Sequence, residues 1–132
     1  MSSSEKEDIF VKLEQGASTL IILMKSSKLI VESFNPIPLI TEDSLIIACP
    51  IMIHNYGLPY YLEGFNQLVE HYSTFILKLG IPCQDNIGLA LKALEAGVRV
   101  IYFDALSPAW PQLVTTTACY EAKLIPQEAL NG

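Results

Sequence analysis

Leu45 to Ile53 reads LIIACPIMI, nine residues without one charged, hydroxyl or amide side chain. A strand on a half-exposed sheet alternates apolar and polar residues. A strand covered on both faces has no such alternation, and that is the character of strands in parallel sheets packed with helices. The run falls far short of the roughly 20 apolar residues that a membrane-spanning helix needs. A buried central strand is therefore expected here, with Pro50 demanding a bulge, an edge position or an early end. With 132 residues and 51% apolar content, the chain is long enough to build one domain around such a strand and too short for two.

Other segments arrange themselves around it. Ser4-Glu5-Lys6-Glu7 has the form of a capping box, and the helix it opens would carry Ile9, Phe10 and Leu13 on one face and end at Gly16. STLIILM at 18–24 and LIVESF at 29–34 are rich in strand formers and flank the polar Lys25-Ser26-Ser27-Lys28, which predicts an antiparallel hairpin. Apolar residues at 58, 61, 62, 65, 68, 69, 72, 75, 76 and 79 keep helical spacing, predicting a long helix from Pro59 to Leu79 that Gly80 closes. Asp85 then caps a second helix over 86–96, and VRVIYF at 98–103 is an almost wholly apolar strand. Residues 111–124 favour helix over strand, despite the β-branched run Val114 to Thr117, and the tail beyond Pro126 is expected to be loose.

The expected fold is thus α/β or α+β. A single-layer mixed sheet of about four strands carries an antiparallel N-terminal hairpin, and three to four helices cover it. All of 1–132 forms one globular domain.

Charge narrows the partners. Eight basic side chains face fourteen acidic ones, for a net charge of −6, and Arg99 is the only arginine. A nucleic-acid backbone is bound by clustered Lys and Arg, whereas these lysines are scattered, so neither nucleic acid nor an anionic membrane is an expected partner. The opening residues have neither the basic start nor the apolar core of a signal peptide, and the cysteines at 49, 83 and 119 form no close pair. A reducing cytoplasm is the expected compartment. Only 17% of residues are charged, against about 25% in an ordinary soluble domain, so exposed apolar surface is expected. That favours a homodimer or a protein partner, with a small-molecule ligand as the alternative.

Candidate chemistry is sparse. In open α/β sheets, ligands gather at the carboxyl ends of the strands. Two loops leave that edge, His54-Asn55-Tyr56-Gly57-Leu58-Pro59 and Asp104 to Pro111. If their strands are neighbours, His54 becomes a general base oriented by Asp104, with Asn55, Tyr56, Ser107 and Trp110 as ligand-binding walls. The plainer reading gives Asn and Asp to turn formation. Cys83 is a reactive-thiol candidate from its place before a helix, with His71 as a remote partner, although the predicted loop lies across the sheet from His54. Cys49 and Cys119 are expected to be packed. No zinc-ligand spacing and no nucleotide-binding or hydrolase motif occurs, so no metal or other cofactor is expected. Tyr61, Phe65, Tyr72 and Phe75 fit the core stripe of the long helix, leaving Tyr56 and Tyr60 for an interface or a pocket wall.

Overall fold

The computed structural model describes residues 27–131. Five strands form one sheet: β1 (Ser27–Val31), β2 (Ser44–Ala48), β3 (Leu77–Pro82), β4 (Val100–Phe103) and β5 (Lys123–Pro126). They lie side by side in chain order, and every pairing is parallel. Four helices connect them: α1 (Ile53–Tyr56), α2 (Leu58–His71), α3 (Ile87–Glu95) and α4 (Trp110–Cys119). A 3-10 turn over Gln127–Asn131 follows β5. No described helix is long and apolar enough to cross a membrane.

The antiparallel hairpin and the mixed, four-stranded sheet expected above are both corrected. LIVESF contributes β1, but β1 pairs in parallel with β2, and Ser27 and Lys28 belong to the strand rather than to a turn. The proposed partner strand at 18–24 and the helix at 5–16 lie outside the described residues. β1 reaches β2 through the irregular segment 32–43, whose Phe34 and Ile40 are buried in the core.

The long helix is also shorter than its periodicity suggests. α2 ends at His71, and Leu77–Pro82 forms the central strand β3. Leu77, Leu79 and Ile81 alternate toward the helices, as strand residues do, while Tyr72 and Phe75 pack on the same core from the connecting turn. Gly80 therefore ends no helix. It lies within β3, where an added Cβ would approach the Tyr102 ring to 3.1 Å. Likewise β2 stops at Ala48, the early end that Pro50 permitted, and the residues after it turn into α1. The cap of α3 is Asn86 rather than Asp85, its Oδ1 accepting the Leu89 N–H at 3.0 Å. Residues 110–119 are helical, but the apolar Lys123–Pro126 is the edge strand β5.

Consecutive strands that always step in one direction, with right-handed connections, place every connection on the same face of the sheet. The core has that form. Ile53 of α1, Leu58, Tyr61 and Leu68 of α2, Ala90, Ala93 and Leu94 of α3, and Leu113 of α4 all join one cluster with Val31, Ile46, Ala48, Leu79, Ile81, Ile101 and Phe103. Leu45, Ile47, Val100 and Tyr102 point the other way and form a separate cluster.

Candidate functional site

Of the segments that leave the carboxyl edge of the sheet, three bear on the candidate residues. Cys49–Met52 and α1 follow β2, Cys83–Asn86 follow β3, and Asp104–Ala109 follow β4. Both loops singled out from the sequence are thus on this edge. Their strands, β2 and β4, are not neighbours, because β3 runs between them. Two strand spacings, ~10 Å, separate the points where the loops begin.

Most of the candidate side chains have a local partner. Asp104 Oδ1 accepts the Leu106 N–H at 2.9 Å, and the Asp104 N–H donates to the Gln84 carbonyl at 2.6 Å. Ser107 Oγ accepts the Ala109 N–H at 3.1 Å, opening the turn into α4. Trp110 is half-buried against the main core. Asn55 Nδ2 lies 3.8 Å from Met52 Sδ. His54 is exposed on α1, and among the described residues no hydrogen bond joins it to Asp104. These are the bonds of turns and caps, in which aspartate and serine replace missing backbone partners.

The aromatic side chains form a more definite structure. Tyr56 and Tyr60 stack with centroids 4.4 Å apart and planes 22° from parallel, and Tyr61 stands edge-on to Tyr60 at 5.2 Å. Tyr60 Oη accepts the Phe34 N–H at 2.8 Å, while the Tyr61 hydroxyl donates to the Glu32 carbonyl at 2.7 Å. The first turn of α2 is thereby fastened to the chain leaving β1. Tyr61 is wholly buried and its hydroxyl pKa is pushed up to about 12, first by desolvation and then by the nearby ionisable Cys49, Tyr60, Tyr56 and Glu32. Tyr56 covers Tyr60 from outside and remains 45% exposed. Gly57, at φ +86°, makes the left-handed turn from α1 into α2 that a side chain would strain.

Cys83 lies at the carboxyl end of β3, on the same edge as His54 and Asp104 rather than across the sheet. The β3 assignment moves it there. Its thiol is buried, 3.6 Å from the Ile81 carbonyl, and burial pushes its pKa up to about 12. A nucleophilic thiol needs the reverse, an accessible and electropositive setting. His71 sits at the C-terminal end of α2, edge-on to Tyr72 at 4.6 Å and at the opposite sheet edge from Cys83. Cys119, expected to be packed, is exposed, and Cys49 is half-buried.

A cleft of about 330 Å³ lies at the amino edge, between α2 and the turn entering β4. Leu62, Phe65 and Leu79 line its apolar side, with Asn66, Lys78 and Arg99 among its polar residues. The Lys78 ammonium is held below the usual lysine range by burial first and by Arg99 second. Sequence reasoning missed this cleft because it ran the long helix on through residues 77–79, which form the strand that floors it. The one usable signal was Arg99, the sole arginine, placed just before an apolar strand. Among the described residues, no group of three or more His, Cys, Asp or Glu side chains is arranged to hold a metal ion. Compared with protein-family models, with curated proteins and with solved structures, the chain has no match.

Proposed function

We propose that this chain is a small interaction protein that binds a second copy of itself through the carboxyl edge of its sheet. The observation that carries the reading is the exposure of large apolar side chains on that edge: Leu106 is 92% exposed, Ile51 75% and Tyr56 45%. An isolated exposed leucine needs no explanation. Here three such residues stand on the loops and the short helix α1 of one edge, in a chain with few charges, while Asp104 and Ser107 nearby are engaged in turn bonds. Interfaces concentrate this kind of surface, with tyrosine and aliphatic anchors and little charge at the centre.

Light scattering in line with size exclusion, under reducing conditions and over a range of concentrations, tests the proposal. The expected mass is twice 14.6 kDa for the natural chain and 14.6 kDa for an Ile51→Asp, Leu106→Lys double variant. A natural chain that stays at 14.6 kDa at every concentration removes self-association. Both substitutions are at exposed positions, where effects on stability stay within about 0.5 kcal/mol, so a change of mass reports the surface and not the fold.

A further inference from the structure

We infer that the cleft at the amino edge of the sheet binds a small carboxylate with an apolar body, the head held by Arg99 and backbone amides of β3, the body lying on Leu62, Phe65 and Leu79. The register of the sheet makes the cleft. β4 begins at Val100, opposite Gly80, so residues 77–79 of β3 have no β4 residue beside them. α2 and the turn entering β4 wall this notch, and the space between them is about 330 Å³. That is the low end of the range for small-molecule sites, which favours a compact ligand over one of nucleotide size. The notch also turns backbone donors toward the ligand. The Ile76 carbonyl accepts the Ser44 N–H at 3.0 Å, so the backbone groups of Ile76 and Lys78 face β2. Successive residues of a strand direct these groups to opposite sides, and the N–H groups of Leu77 and Leu79 therefore face the cleft.

Charge and apolar surface select the ligand class. Lys78 and Arg99 both line the cleft, and no Asp or Glu is among its described lining residues. Arg99 spends one donor on the Val98 carbonyl at 3.2 Å, which fixes the guanidinium at the cleft. It has five N–H donors in a planar fork, the geometry that matches the two oxygens of a carboxylate. Burial first and Arg99 second hold the Lys78 ammonium below the usual lysine range, and an anion beside the two cations relieves their repulsion. The chain as a whole carries a net charge of −6 and repels anions at long range, so binding has to come from these short-range donors and from apolar contact. Acetate or inorganic phosphate would satisfy the donors and leave Leu62 and Phe65 uncovered. An aryl or aliphatic carboxylate covers both. This cleft lies at the other edge of the sheet from Ile51 and Leu106, so the inference goes beyond the proposed self-association and does not rest on it.

The test is a titration of the isotope-labelled full chain with 3-phenylpropionate, followed by amide chemical shifts. Saturable binding with a Kd of about 1 mM or tighter is expected, with the largest shifts at Leu77, Leu79, Val98 and Arg99. Acetate, which lacks the body, and 3-phenylpropanamide, which lacks the charge, should each bind roughly tenfold more weakly or worse. Arg99→Gln should lose affinity to a similar degree. Ala96→Trp supplies an independent variant: it narrows the cleft from an exposed position and leaves both cations in place, and it too should weaken binding about tenfold. No saturable shift up to about 10 mM overturns the inference. So do shifts centred away from the cleft, equal binding of the amide, or full affinity in either variant. None of these readings involves Ile51 or Leu106, so failure here and failure of the proposed self-association are distinguishable.

Discussion

Gly64 of α2 lies directly beneath the ring of Phe34: a Cβ built at position 64 would stand 2.2 Å from Phe34 Cδ2. Helix α2 therefore approaches the chain leaving β1 more closely than any residue with a side chain would allow, and Phe34 fills the notch. The contact explains a glycine in mid-helix, where it costs ~1 kcal/mol relative to alanine. It also holds the Phe34–Tyr60–Tyr61 cluster, whose centroid separations are 5.9 Å and 5.8 Å from Phe34.

Gly64→Ala is accordingly expected to destabilise, against the helix-propensity trend. Overpacking of this kind costs ~1–3 kcal/mol, and the propensity gain offsets about 1 kcal/mol of it. A net loss of up to ~2 kcal/mol should appear as a lower melting temperature. Combining it with Phe34→Leu should lose less than the sum of the two, since the substitutions share one contact. A more stable Gly64→Ala variant would refute the close approach.

The thiols should separate by reactivity. Cys83 is 1% exposed with a pKa raised to about 12, so at pH 8 it is both protonated and covered. Cys119 is exposed. Iodoacetamide followed by peptide mapping should label Cys119 within minutes and Cys83 only when denaturant unfolds the chain. Fast native labelling of Cys83 would contradict its burial in the main core.

Stability should fall in alkaline solution. Burial raises Cys83 from 9.0, and Tyr61 and Tyr102 from 10.0, each to about 12. In all three cases the folded chain holds its proton more tightly than the unfolded one. Their contribution is full below the unfolded values and is lost as pH climbs from about 9 toward 12. For Cys83 the loss by pH 10.5 is on the order of 1–2 kcal/mol. Urea midpoints measured at pH 8 and pH 10.5 should differ in that direction, and Cys83→Ala should flatten the difference. An equal or higher midpoint at pH 10.5 would show that these groups are not desolvated.

Lys78→Met should be neutral or stabilising at pH 7. The fold disfavours the ammonium, first by desolvation and then through Arg99, so removing the charge while keeping a flexible apolar stem relieves both. A melting temperature equal to or a few degrees above that of the natural chain is the expected result. A marked drop would reveal an ammonium contact that the chain needs.

Patterning along the chain determined the α/β character, the strand at β2, the strand at β4 and helices α2 and α3, because each carries a local period or an unbroken apolar run. It could not separate α2 from β3. Leu68, Val69, Tyr72, Phe75, Ile76 and Leu79 keep a helical spacing that Leu77, Leu79 and Ile81 also satisfy as a strand, and only packing against β2 and β4 chooses between them. Missing β3 placed Cys83 at the wrong edge and made β2 and β4 seem neighbours, so the geometry drawn around His54 and Asp104 rested on an adjacency the sheet does not contain. The direction of β1 was equally undetermined. A strand former pairs parallel or antiparallel with the same propensity, and the choice falls to the connection, here 32–43, which buries Phe34 against Gly64 and Ile40 in the core. Local sequence sets which segments form strands and helices. Their order, direction and shared faces come from contacts between residues far apart in the chain, and those contacts exist only in the folded structure.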